Sequence, residues 1–454
     1  MLHVNPSFEQ SLATDSKLFS DLKLGHHLSK AGFRKAFGSS CLIIVRILLL
    51  LAFQQRNWFR LLQSSKKESL PGKDVIYRFL NTSTFAWRTF LTSIATDLIN
   101  RIQPLTSTKR VRVFVIDDTL YSRSRSKVVE LLSWVHDHST NKFVRGFSML
   151  TLGWSDGSSF VPLDFSLMSS ADPSKQLHQQ NEQIDYRSHG GKRRKEAQVS
   201  KPENVVSMIK HAMNQGISAD YVLMDSWFTT ESIMTSIVSE HMNVIGRMKK
   251  NNHRLIDDRG QTQTLDELYK RSKPDKKKNI QSSVVVKMKH GLPIKIVFVM
   301  NRNDRQDWIA LATTDLELEL SEIVRIYGIR WEIETFFKCT KSHLNLAKEF
   351  QGRSYDAMIA HTTIVFIRYL FLVWENRKMK DPKSLGDLFF WYADEAKDMD
   401  YKTSLQLLFQ FTLELLQHTQ NALCPTDAFD QLRQFIAGLP RHIQALLPEL
   451  RCES

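Results

Sequence analysis

Cysteine is scarce in this chain. There are four in 454 residues, Cys41, Cys339, Cys424 and Cys452, far apart and without paired spacing. That excludes a disulfide framework and a cysteine-held zinc site, so a metal would have to be held by oxygen. Long apolar runs are scarce too. The one candidate, CLIIVRILLLLAF at residues 41–53, falls short of the ~20 residues of a membrane span and carries Arg46 near its middle; it reads as a buried core helix. The N-terminus, MLHVNPSFEQSLATDSK, lacks the basic start, apolar run and small-residue cleavage site of a secretory signal. A cytosolic protein with no membrane partner is expected, and no internal repeat is present.

What is abundant is positive charge and core material. Hydrophobic residues make up 42%, and 62 Lys and Arg stand against 48 acids, a formal net charge of +14. The length suits about three domains. Such a charge balance favours a polyanionic partner or an anionic membrane surface, nucleic acid first.

Residues 1–108 read as a helical N-terminal domain, with apolar groups recurring three or four apart. VRVFVIDDT then reads as a strand ending in acids, and FVRGFSMLTLGWSDGSSFVPLDFSL as a hairpin about SDGSS. Residues 169–203 are polar and basic and predict a mobile surface segment. The helix NVVSMIKHAMNQG and strand YVLMD follow. MNVIGRMK, SSVVVKMK, IKIVFVM and WIALATT then mark a β-rich stretch over 241–313, with the charge runs RMKKNNHR and RSKPDKKK as solvated loops or polyanion contacts. After 320 the pattern is helical. The order predicts an α/β core in two parts, 109–240 and 314–375, interrupted by an all-β insertion and followed by a helical C-terminal region, 376–454.

Asp117 and Asp118 in VFVIDDT, and Asp225 in YVLMDSWF, follow apolar strands, where ligands of α/β folds collect. Asp225 alone also reads as a cap or turn residue. The third acid lies in IYGIRWEIETFFKCTK. On a helix of about 100° per residue, with Tyr327 at zero, Arg330 falls at about −60°, Glu334 at about −20° and Lys341 at about −40°, one narrow stripe. Arg330 and Glu334 could pair as an ordinary i, i+4 ladder. Alternatively, three converging carboxylates suit a hard divalent cation such as magnesium or manganese and in-line displacement at phosphorus. Flanking cations would then hold phosphates. His136 and His138 in VHDHST read as exposed loop histidines rather than ligands.

The spacing Y-(2)-R-(3)-E-(6)-K, met by Tyr327, Arg330, Glu334 and Lys341, resembles the YREK signature of DDE transposases of the bacterial insertion-sequence four type. The resemblance covers roughly residues 110–370. It implies an RNase H-like core with Asp117, Asp225 and Glu334 as the catalytic, metal-binding triad, Thr119 as the small hydroxyl of the first motif and Asp118 as a competitor for Asp117. It implies DNA phosphate contacts for Tyr327, Arg330 and Lys341, and stacking of a flipped base on Trp308, which otherwise reads as a core residue. The implied activity is magnesium-dependent cut-and-paste transposition through a hairpin intermediate, with manganese as substitute. The implied partners are double-stranded DNA with terminal inverted repeats, target DNA and a second protomer. The N-terminal helices would recognise DNA ends and the C-terminal region would dimerise, in a bacterial cytoplasm and at the nucleoid when acting. A structure-selective nuclease on the same fold and a domesticated, non-catalytic DNA-binding protein are the alternatives.

Overall fold

The computed structural model describes residues 19–63, 70–137, 140–181, 183–251, 254–301, 304, 306–350, 352–396 and 434. The N-terminal tail, His138, Cys424, Cys452 and nearly all of the chain beyond 396, where dimerising helices are expected, lie outside those residues.

The described N-terminal part is helical, as the periodicity predicts: α1 (Leu24–Lys30), α2 (Cys41–Phe53), α3 (Trp58–Leu62), α4 (Lys73–Leu80) and α5 (Trp87–Ile102). The apolar run 41–53 is α2, started by the Ser40 hydroxyl accepting from the Ile43 amide, and it is buried along most of its circumference. The side chains of these helices belong to the same continuous apolar cluster as the sheet, and α2, α4 and α5 pack on the long helix α12 (Tyr355–Lys378). Among the described residues α12 is long and apolar enough to cross a membrane by composition, yet its most apolar stretch is 94% buried. Residues 41–53, the run that stands out in the sequence, are thus not the longest apolar helix.

Eleven strands form one mixed sheet. β1 (Val113–Ser122) and β3 (Lys142–Ser155) are antiparallel; β3 pairs with β2 (Ser133–Asp137) along its first half and β4 (Phe160–Met168) along its second. The β3–β4 hairpin turns on SDGSS as expected. Asp156 accepts from the Ser158 and Ser159 amides, and Gly157 supplies a φ of 79°. On the other side of β1, β5 (Tyr221–Met224) and β6 (Asn243–Met248) are parallel to it and to each other. β11 (Trp308–Thr313), β10 (Pro293–Met300) and β9 (Ile280–Lys287) continue the sheet antiparallel from β6, with β7 (Leu255–Ile256) and β8 (Thr262–Gln263) at the far edge.

The segment 241–313 is therefore not all β. Its first strand, β6, is hydrogen-bonded parallel to β5, and it contains helix α9 (Leu265–Arg271). Thr264 and Glu267 close a reciprocal capping box on α9, a T-x-x-E signal that the neighbouring strand patterns obscure in the sequence.

The polar stretch 169–203 also departs from expectation. It folds into α6 (His189–Ala197) and the start of α7 (Lys201–Asn214), and Arg193 and Arg194 of KRRK are buried. Arg194 forms paired bonds to Glu130 (2.6 and 2.8 Å) and Asp356 (3.0 and 2.8 Å), tying α6 to α12. Gly190 makes room for this network, because a Cβ there would lie 2.2 Å from the Asp356 carboxylate. Composition reads such a run as solvated; its acid partners, 64 and 162 residues away from Arg194 in sequence, make burial tolerable.

Candidate active site

The parallel ladder between β1 and β5 ends at the pair Ile116↔Met224, so Asp117 and Asp225 follow at the same level on adjacent strands. Asp117 does not end its strand. β1 runs on to Ser122 along β3, with Asp117 opposite Thr151, because β3 outlasts β5. Asp225 opens the turn after β5: its Oδ1 accepts from the Trp227 (2.9 Å) and Phe228 (3.3 Å) amides, so the turn reading of this residue is realised. The Thr229 hydroxyl donates to the Asp225 carbonyl at 2.6 Å and packs where a Cβ on Gly246 of β6 would sit, 2.3 Å from its Oγ1.

Alternation along β1 separates the two neighbouring aspartates. Asp117 faces Arg330, whose Nη1 donates to its Oδ2 at 2.9 Å. Asp118 turns the other way, accepting from the Ser148 hydroxyl and from Lys201 Nζ at 2.8 Å.

IYGIRWEIETFFKCTK is not one continuous helix. It spans α10 (Leu320–Gly328) and α11 (Trp331–Ser342), joined by a tighter turn in which the Ile329 and Arg330 amides donate three residues back. The four polar residues nevertheless share a neighbourhood. The Arg330 guanidinium lies 5.9 Å from the Tyr327 ring centre and donates to Glu334 Oε1 at 2.5 Å, and Lys341 Nζ donates to Thr119 Oγ1 at 2.5 Å. The salt-bridge ladder is thus realised, with Arg330 bridging Asp117 and Glu334. Glu332, one residue from Ile333, points elsewhere: its carboxylate accepts from Ser155 Oγ at 2.5 Å, near the start of β1.

The electrostatics follow from burial. Asp117 is 14% exposed, and burial pushes its carboxyl up to about 7; Arg330 opposes that rise and the charge of Asp225 adds to it. Burial likewise pushes the Tyr327 phenol up to about 12, with Arg330 and Arg247 pulling back. Burial lowers the Lys341 ammonium against the attraction of Asp137. Glu334 is more open, 39% exposed. The oxygen donors fit a hard divalent cation in kind, and two crowded aspartates gain from one. As the side chains stand, no group of three His, Cys, Asp or Glu among the described residues converges for a metal, since Arg330 occupies the space between Asp117 and Glu334.

Trp308 is not offered to a ligand in this arrangement. It is 7% exposed, stacked on Tyr269 at 4.8 Å and 24°, edge-on to Phe298, with Lys250 Nζ 3.9 Å from the ring centre. His136 lies in β2, not in a loop, with Nε2 3.1 Å from Asn141 Oδ1. Sequence reasoning misses Arg247, Ser148 and Lys201. Lys201 bridges Asp118 and the exposed ring of Trp227, 4.6 Å from its centre, and no local pattern marks it, because these partners meet only in the fold.

A family model described as "DDE superfamily endonuclease" matches residues 25–290, more than half of the chain. The chain belongs to the DDE superfamily endonucleases. The matched span of this DDE endonuclease includes Asp117 and Asp225 and stops short of Glu334. Seven solved chains are similar in structure, among them the Drosophila P element transposase strand transfer complex, at 10% identity over 87% of this chain and 86% of that one. Its TM-score is 0.22, below the level of a shared fold. No curated protein matches.

Proposed function

We propose that this DDE endonuclease is a DNA transposase of the insertion-sequence four type, with Asp117, Asp225 and Glu334 as its catalytic acids. The observation that carries the reading is the level placement of Asp117 and Asp225, each one residue past the last paired residues of the adjacent parallel strands β1 and β5, with Arg330 donating to Asp117 and Glu334, and Lys341 to Thr119. The order β4-β3-β1-β5-β6, antiparallel then parallel, supports an RNase H-like core, with β7 to β11 and α9 as the insertion.

A bound magnesium or manganese ion would supply Lewis-acid activation of the attacking oxygen and stabilisation of the leaving one. Asp117 and Asp225 would hold it, with Glu334 turned from Arg330. The guanidinium of Arg330 then serves a second purpose, because when drawn to a DNA phosphate it leaves both carboxylates free while keeping a charge-assisted partner. Lys341, beside Thr119, takes the next phosphate, and Tyr327 positions Arg330. Trp308 would stack on a flipped base only after Lys250, ion-paired to Asp307, uncovers its face. Hydrolysis at an element end, a hairpin, its reopening and joining of the 3′ end to target DNA complete the reading. Two protomers pair two inverted repeats in the bacterial cytoplasm.

Magnesium-dependent cleavage and strand transfer on DNA carrying the element's own ends tests this. Wild type should cut and join, while Asp225→Ala and Glu334→Ala should do neither. Undiminished cutting by both variants overturns the triad; cutting without joining identifies a structure-selective nuclease instead.

A further inference from the structure

Beyond the level where β5 ends, β1 has no strand on that side among the described residues, and its open edge borders a groove of about 1420 Å³. Thr119, two residues along β1 from Asp117, lines the groove together with Lys341, which donates to its hydroxyl. The wall is the connector SRSRSK, residues 122–127, in which hydroxyls and cations alternate. Two buried ties hold this connector against the segment after α11. Arg123 Nη1 donates to the Phe350 carbonyl at 3.2 Å, and the Glu130 amide donates to the Arg353 carbonyl at 2.9 Å. Between those ties Arg125 and Lys127 are exposed, and Arg353 is exposed across from them. None of the three has an ion-pair partner among the described residues, and of the groove's two acids Asp118 is paired with Lys201 while Asp137 accepts from the Thr140 hydroxyl. The Tyr121 and Phe350 rings in the lining are buried, and the half-buried His136 imidazole is held by Asn141. A surface of unpaired cations and hydroxyls without an open Phe, Tyr or Trp ring suits phosphodiesters, not stacked bases.

We propose that this groove holds the backbone of one DNA strand leading away from the scissile phosphate, without reading its bases. The inference rests on the reading of the chain as a DNA-processing enzyme and adds the path of the strand.

The test is equilibrium binding of the full chain to a labelled single-stranded DNA oligonucleotide of mixed sequence across a salt series. Arg125→Ala/Lys127→Ala should lower the log–log salt slope by about 1.4, the loss of two single-strand phosphate contacts. Lys276→Ala/Lys277→Ala removes the same charge in the exposed loop before β9, far along the sheet, and should leave the slope unchanged. An unchanged slope in the groove pair, or an equal fall in the loop pair, overturns the proposal. If Lys341→Ala lowers the slope while the groove pair does not, the strand path alone is wrong. If the wild-type chain binds DNA with no salt dependence, the DNA-processing reading falls with it.

Discussion

Asp117→Asn should stabilise the metal-free protein, and by more as pH rises. The carboxyl of Asp117 is pushed from its ordinary 3.8 up to about 7 by burial. Between those values the native state keeps a proton that the unfolded chain has released, so stability falls as pH climbs through the window. With these two values the cost is about 2 kcal/mol at pH 5 and about 4 kcal/mol at pH 8. Asparagine keeps an oxygen to accept from Arg330 but carries no charge to bury. Glu332 and Glu349, also pushed up to about 7 by burial, are common to both proteins and cancel in the difference. Guanidinium chloride unfolding in chelator should therefore show the variant's advantage widening by about 2–3 kcal/mol from pH 5 to pH 8. Added magnesium at pH 8 should then stabilise the wild type and not the variant, by about 2.7 kcal/mol at one hundred times its dissociation constant. Parallel pH profiles would refute the claim that burial and Asp225 crowd this carboxylate.

Lys341→Ala should reduce the salt slope for duplex DNA by about 0.9, one phosphate contact, in a fluorescence anisotropy titration. Arg194→Ala strands Glu130 and Asp356 in the interior, and thermal unfolding should register a loss of about 3–5 kcal/mol. Trp308→Ala should cost about 3–5 kcal/mol in chemical denaturation, since the ring is enclosed by Tyr269 and Phe298; a loss of DNA binding with no loss of stability would mark a stacking surface instead. Gly246→Ala should displace Thr229 and, through its bond to the Asp225 carbonyl, lower cleavage more than it lowers DNA affinity.

Much of the site is legible in the sequence because its parts are locally encoded. Apolar β-branched runs followed by acids mark Asp117 and Asp225, and the strands predicted from 113 to 313 form. Two departures from the pattern have physical causes. Helical arithmetic assumes one helix for residues 326–341, but a turn at Ile329 and Arg330 interrupts it, and the side chains gather through Arg330 and Lys341 bonding to β1, with Tyr327 and Glu334 beside Arg330, rather than along a single stripe. KRRK reads as solvated, since a sequence window cannot contain Glu130 and Asp356.

By itself the sequence determined the alternation of helix and strand, the scarcity of cysteine and the excess of cations, because periodicity and composition act within a few residues or over the whole chain. Tertiary structure alone decided which neighbouring aspartate faces Arg330, that Arg330 bridges two acids, that Trp308 is enclosed, and that SRSRSK lines a groove. Those outcomes depend on where β5 stops beside β1 and on pairings across 200 residues and more, and no local pattern carries them.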